Sequence, residues 1–222
     1  MNKKELLYEN YDTLIKKCVP GYQKIFRLMA NGLNECTSDI LDIGIGTGNL
    51  EKFIFEKFPQ TKITGIDTSK KFIEIAASKY QNKKLKIINS DIKNYLLIKN
   101  KFSAIVSSLT IHHFKDAEKI GLFKKIYRSL KSDGVFINFD MIKPETKKDF
   151  LQARRKLFQN WKANGLSEDF IEKEKKEMEE RDRLVELSKQ KRWLKEIGFT
   201  FKIIYKSELF CVYKCTKKTR GH

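Results

Sequence analysis

Leu41-Asp42-Ile43-Gly44-Ile45-Gly46-Thr47-Gly48-Asn49-Leu50 is the stretch that decides the fold. Ile40, Leu41 and Ile43 supply a short buried strand, and Leu50, Phe53, Ile54 and Phe58 recur at helical spacing behind it. Between them, three glycines at alternate positions let the backbone approach a ligand more closely than any loop bearing side chains. The following helix aims its unpaired N–H groups and positive dipole end at the same place. Spacing separates the ligand classes. A dinucleotide fingerprint reads G-x-G-x-x-G, whereas Gly44, Gly46 and Gly48 give G-x-G-x-G, with an acid, Asp42, two residues ahead.

Outward from this loop, strands and helices alternate. Strand 39–43 leads to helix 49–58, strand 62–66 to helix 69–80, and strand 85–89 to a loop over 92–99. Strand 103–108 precedes helix 115–131, and Gly134 opens strand 135–141. Runs such as Ala104-Ile105-Val106 are continuously apolar, as expected where helices cover both faces of a sheet. The pattern predicts an α/β fold with a doubly wound, mostly parallel sheet. Two helices are expected ahead of it, at 3–18 and 20–34, the second with Pro20 at its first position. Residues 145–197 break the alternation, being helical, highly charged and longer than a crossover needs. Gly198 closes the last helix, and 199–205 and 208–216 read as a final strand pair. The expected organisation is a helical lid segment at 1–36, an α/β binding core at 37–142, a helical insertion at 143–197, terminal strands at 198–217 and a tail at 218–222.

At 222 residues the chain can bury one full core. No run of about 18 apolar residues occurs, so no membrane partner is expected. Met1-Asn2-Lys3-Lys4-Glu5 leads into a charged amphipathic pattern and not an apolar signal region. Cys18, Cys36, Cys211 and Cys215 have no C-x-x-C spacing, and the histidines are His112, His113 and His222, so no metal site is expected. These features fit a reduced cytoplasm. The net charge of +18 invites a nucleic-acid reading, but it is spread along the chain and rests on 38 Lys against 8 Arg. Specific phosphate and base recognition leans on Arg forks, which a diffuse Lys excess does not supply. The best basic cluster is Arg154-Arg155-Lys156, which also reads as a solvated helix face. A small-molecule substrate is the expected partner, with tRNA and a second copy of the chain left open.

Chemistry gathers at the strand ends. Asp67, in Gly65-Ile66-Asp67-Thr68-Ser69, stands where an acid can grip two ribose hydroxyls, or can cap the helix beginning near Ser69. Asp91, in Asn89-Ser90-Asp91-Ile92, can accept from an adenine amino group while Ile92 packs on the ring, or can cap its own loop. Strand four runs into Ser107-Ser108-Leu109-Thr110-Ile111-His112-His113-Phe114. Adjacent histidines there point in different directions, and His112 is read as the one facing the cleft, a candidate general base, with His113 capping or packing. Asp140 ends strand five beside the same edge, or serves a turn. Tyr8, Tyr11 and Tyr22 on the first helices are candidate cavity walls or ordinary lid packing, and Tyr11 is also a candidate catalytic residue.

Asp42-Ile43-Gly44-Ile45-Gly46-Thr47-Gly48, Asp67, Asp91-Ile92 and Leu130-Lys131-Ser132-Asp133-Gly134 together resemble the ordered motifs of class I S-adenosylmethionine-dependent methyltransferases. The resemblance covers nearly the whole chain. It implies a Rossmann-like, seven-stranded sheet with a reversed last strand, S-adenosyl-L-methionine as cofactor, and methyl transfer to a small acceptor under a helical lid. Gly44, Gly46 and Gly48 would lie against the methionine part, Asp67 would hold the ribose, Asp91 and Ile92 the adenine, and Ser108 and Leu109 the far side. Asp42, Asn49, Thr68 and Ser69 belong to the same pocket by this resemblance. Cys18-Val19-Pro20-Gly21-Tyr22, Ala163-Asn164-Gly165-Leu166-Ser167-Glu168 and Trp193-Leu194-Lys195-Glu196-Ile197-Gly198-Phe199 are similar to the carboxy-S-adenosylmethionine synthases of tRNA wobble-uridine modification, which implies a tRNA-modification enzyme as the alternative. Those enzymes grip the added carboxylate with an arginine. A gapless match puts Lys175 there, a point charge without the bidentate fork, which disfavours the carboxylated cofactor.

Overall fold

The computed structural model describes residues 3–35 and 37–217, with side chains described from residue 10 onward. The expected 218–222 tail, Cys36 and the side chain of Tyr8 lie outside that range. Strands β1 (Asp39–Ile43), β2 (Lys62–Asp67), β3 (Leu85–Asn89), β4 (Phe102–Ser108), β5 (Leu130–Met141), β6 (Phe199–Lys206) and β7 (Phe210–Lys217) form one sheet in the order β3-β2-β1-β4-β5-β7-β6. The first five strands pair in parallel, and β7 enters antiparallel between β5 and β6. The strand order reverses at β1 and β4, so ligands are expected outside their carboxyl ends.

Alternation along the strands divides the core in two. Ile40, Ala104, Val106, Val135, Ile137 and Phe139 face one side, where α2 (Tyr22–Gly32) and α3 (Asn49–Lys57) cover them with Ile25, Phe26, Met29, Leu50 and Ile54. Leu41, Ile43, Ile105 and Phe136 face the other, under Leu122, Phe123 and Ile126 of α5 (Asp116–Ser129) and Trp193 and Leu194 of α8 (Leu187–Ile197). Burial of one such side chain is worth about 1.5–3 kcal/mol, so the two layers fix the strand register. The fourth helix, α4 (Lys70–Lys79), begins at Ser69, whose hydroxyl accepts the Phe72 N–H.

Three boundaries differ from the sequence reading. Pro20 precedes α2, which opens at Tyr22 after Gly21 in the left-handed region, φ 73°. A proline starts a turn as readily as a helix, and here it does the former. Strand β5 begins at Leu130 and not after Gly134, because Leu130 already pairs with Phe102 and the ladder then shifts before Ala104. The segment expected as one helical insertion also divides. Helices α6 (Lys147–Ala163) and α7 (Glu168–Arg181) lie on the α2 side, while α8 belongs to the opposite flanking layer.

The first helix, α1 (Lys3–Cys18), is tied to α6 at its carboxyl end. Trp161 Nε1 donates to the Cys18 carbonyl at 2.7 Å, and Asn164 Nδ2 donates to the Lys17 carbonyl at 2.8 Å. Both carbonyls would otherwise be left without helical partners. Cys18, Cys211 and Cys215 are free thiols. No helix among the described residues is long and apolar enough to cross a membrane.

Candidate active site

The loop between β1 and α3 is bent by its glycines. Gly44, Gly46 and Gly48 have φ of 78°, 55° and 78°, a region other residues enter at a cost. Gly44 N–H and Ile45 N–H both donate to the Ile66 carbonyl, at 2.8 and 3.2 Å, which locks the loop to the end of β2. A Cβ on Gly44 would fall 2.0 Å from Thr110 Oγ1, whereas one on Gly46 would meet nothing within 4 Å. The middle glycine therefore borders open space on the site side. Asp67 braces this arrangement: Oδ2 accepts the Gly46 N–H at 2.9 Å and Oδ1 the Ser69 N–H at 2.8 Å. The alternative role foreseen for Asp67, at the start of α4, is thus present, and Ser69 is the capping residue. Each carboxylate oxygen retains acceptor capacity for a ligand.

Asp91 accepts the Lys93 N–H at 2.8 Å, the loop-capping geometry, and Ile92 is buried with Leu41, Ile43 and Ile66. Ser107 Oγ donates to the Ile43 carbonyl at 2.8 Å, joining the ends of β1 and β4. Beyond Ser108, Leu109 adopts φ 50° while its N–H donates to the Phe139 carbonyl at 2.8 Å. A bulky residue in that region is strained, and such strain gathers at ligand sites. The Thr68 carbonyl accepts from Asn89 Nδ2 at 3.0 Å.

Helix α1 closes over the glycine loop through Asp12, which the sequence reading did not single out. Its carboxylate receives Thr47 Oγ1 at 2.6 Å, Asn49 Nδ2 at 2.7 Å and Lys79 Nζ at 2.5 Å. Burial raises the Asp12 pKa, but these three donors outweigh it and hold it below the usual carboxylate range. Tyr11 stacks against Phe72 at 4.7 Å, and Asn49 Nδ2 also donates to the Tyr22 hydroxyl at 3.3 Å. Burial pushes both phenols up, so they stay protonated at neutral pH.

Two buried acids lie behind the loop. Asp42 and Glu51 are 1 % and 0 % exposed; their four carboxyl oxygens meet no other donor among the described residues, and a proton held on Asp42 lets the two acids bond to each other. Burial raises both, and for Asp42 the charge of Glu51 adds to it. The pair is closed off from solvent and braces the base of the loop. The glycine cradle, open at Gly46, and the Asp67 carboxylate beside it fit S-adenosylmethionine.

His112 and His113 form a 3₁₀ turn with Ile111 past β4. His112 is 6 % exposed, and both its ring nitrogens face acids. Nδ1 is hydrogen-bonded to Asp140 Oδ1, and Nε2 lies 3.6 Å from Asp182 Oδ1. His113 Nδ1 lies 3.2 Å from the same Asp182 oxygen, with its side chain 38 % exposed. Burial lowers the His112 pKa, but Asp140 and then Asp182 more than offset this, and it is raised. Asp182 follows α7 and is anchored to the turn: Arg183 N–H donates to the His112 carbonyl at 2.8 Å, and buried Lys119 donates to the Phe114 and Arg183 carbonyls. The insertion thus reaches the edge of β4 and β5. Lys175 pairs with Glu172 one turn earlier and lies over the Phe158 ring. In the basic cluster, Arg154 pairs with Glu179 and Lys156 with Glu208.

The sequence reading missed Asp12, Glu51, Lys79 and Asp182. Glu51 looked like the polar position of an amphipathic helix, and Asp182 sits in Glu179-Glu180-Arg181-Asp182-Arg183, which reads as a solvated face.

Part of the sequence, and the fold, are similar to known proteins. Residues 40–134 match the family described as a methyltransferase domain. A carboxy-S-adenosyl-L-methionine synthase of Nautilia profundicola is 33 % identical over 143 residues, covering 62 % of this chain and 60 % of the relative. A malonyl-[acyl-carrier protein] O-methyltransferase of Acetivibrio thermocellus is 33 % identical over 159 residues, covering 67 % of this chain and 52 % of the relative. The chain therefore spans between about half and three fifths of these relatives. The Haemonchus contortus phosphoethanolamine N-methyltransferase 2, solved with S-adenosyl-L-methionine, superposes with a TM-score of 0.65 at 18 % identity, over 89 % of this chain and 53 % of that one. At that identity the likeness concerns the fold.

Proposed function

We propose that this chain, a class I S-adenosylmethionine-dependent methyltransferase by its sheet order, motifs and relatives, transfers a methyl group to a small-molecule acceptor held beneath α1, α6 and α7. The observation that carries the reading is the convergence on one sheet edge of an open Gly46 and the Asp67 carboxylate that holds its N–H. Gly44, Gly46 and Gly48 would hold the methionine part, Asp67 the ribose, and Asp91 with Ile92 the adenine. Ser108 and Leu109 would bound the far side, with Asn49, Thr68 and Ser69 completing the pocket. The bound cofactor supplies a methyl group already activated on a sulfonium. What remains for the chain is to orient the acceptor at near-attack distance and to exclude water. Tyr11, Tyr22 and the α1 latch through Asp12 serve the second task.

A second reading, a tRNA-modification enzyme of the carboxy-S-adenosylmethionine synthase type, is supported by the Nautilia relative. The lysine at position 175 weighs against it, since a point charge lacks the bidentate fork by which an arginine grips a carboxylate.

Thermal melting of the full chain tests the leading reading. S-adenosylmethionine and its demethylated product are expected to raise the melting temperature and NAD to leave it unchanged. Stabilisation by NAD alone would overturn it. Mass spectrometry of the co-purified cofactor separates the two readings: plain S-adenosylmethionine supports the first and the carboxylated form the second.

A further inference from the structure

We infer that His112, His113 and Asp182 form a divalent metal site, for a borderline cation such as Zn2+, Co2+, Mn2+ or Fe2+, at the junction of the insertion with the β4 edge. Asp182 Oδ1 lies 3.6 Å from His112 Nε2 and 3.2 Å from His113 Nδ1, and the three ligand atoms fall within 4.8 Å of one another. A charge-assisted N–H···O bond is shorter, about 2.7–2.9 Å. At 3.6 Å the imidazole nitrogen and the carboxylate oxygen are too far apart to share a proton well. They stand instead at the separation of two ligands on one ion, since bonds of about 2.0–2.2 Å at tetrahedral or octahedral angles put ligand atoms about 2.8–3.6 Å apart.

Three further features fit a metal ligand set. Asp140 takes the Nδ1 position of His112 and so directs Nε2 at Asp182, the carboxylate–histidine support typical of metal-binding imidazoles. The turn and Asp182 are rigidly joined by the Arg183 N–H and by Lys119, so the ligands from two distant segments keep their spacing. His113 is the exposed member, and its ring closes the set by a side-chain adjustment that leaves positions open to a further ligand. Two imidazoles and a carboxylate suit these borderline cations better than Mg2+ or Ca2+, which prefer all-oxygen sets. The site does not depend on the cofactor assignment.

The test is titration of the tag-free, full-length apoprotein with ZnCl2 and, separately, CoCl2, without S-adenosylmethionine. One equivalent is expected by calorimetry, with Co2+ giving the absorption bands of a nitrogen- and oxygen-ligated ion. His113→Gln and Asp182→Asn are expected to weaken binding at least tenfold, and Asp140→Asn, at a positioning residue, by about 10–100-fold. Far-UV circular dichroism checks that each variant folds, and His113→Gln, at the exposed ligand, remains decisive if Asp182→Asn does not. Absence of a stoichiometric site, or binding that survives His113→Gln unchanged, overturns the inference.

Discussion

Asp67→Ala should damage the protein in two separable ways. The carboxylate holds the Gly46 and Ser69 N–H groups at 2.9 and 2.8 Å, so its loss frees one donor of the glycine loop and one at the start of α4. Hydrogen bonds to a charged group contribute about 1.5–3 kcal/mol each, with the lower end apt for a half-exposed site, so about 3 kcal/mol of stability should be lost. For a chain of this size that lowers Tm by about 6–12 °C. If the same carboxylate also grips a ribose, binding of S-adenosylmethionine should fall by a further 2–3 kcal/mol, or about 30–150-fold. Asp67→Asn keeps one acceptor at reduced strength and should lie between. Calorimetry below the lowered Tm reads the second effect apart from the first. A variant that melts early yet binds S-adenosylmethionine within twofold of the parent would reduce Asp67 to a brace and refute the ribose assignment.

Gly46→Ala puts a methyl into open space at φ 55°, so it should cost stability only about 1–2 kcal/mol while abolishing S-adenosylmethionine binding by calorimetry. Gly44→Ala, aimed at Thr110 Oγ1 2.0 Å away, should instead cost folded protein, seen as an early melt or insoluble expression. Asp12→Ala removes three hydrogen bonds that tie α1 to the loop at Thr47, to α3 at Asn49 and to α4 at Lys79. Hydrogen exchange should therefore quicken across the second half of α1, and unchanged protection there would contradict the latch. Asp42 and Glu51 bind protons more tightly folded than unfolded, so their favourable contribution is complete in acid. It is lost as pH rises from the unfolded carboxylate range, near 4, through their raised folded values. Asp42→Asn should therefore melt higher than the parent at pH 8 without cofactor, by about 1–3 kcal/mol, and the gain should vanish towards pH 4. A constant difference across that range would show that the pair does not titrate.

What could be foreseen was local. The glycine spacing, the apolar strands and the acids at strand ends are each set within a dozen residues, and the structure joins Gly44–Gly48 to Asp67 and the end of β1 to Ser107. The start of β5 could not be foreseen, because Leu130 is held in the sheet by Phe102 and by Lys217, whose ammonium donates to its carbonyl. Nor could the split of the insertion, because α6, α7 and α8 share one charged composition, and only packing against Phe158 and Trp161 or against α5 sorts them.

His112 shows most clearly why a side chain's role outruns its sequence. A histidine after a strand in this setting reads as a free base at the cleft. Its buried position, with Asp140 on one nitrogen and Asp182 facing the other, is fixed by residues 28 and 70 positions away. Burial alone would have made it neutral, and two acids reverse that preference. Chemistry at this turn therefore depends on what α7 delivers, since Asp182 is the acid that faces Nε2. Asp182→Asn combined with an intact Asp140 separates the roles of the two acids, because the bond at Nδ1 is untouched while the acid facing Nε2 loses its charge.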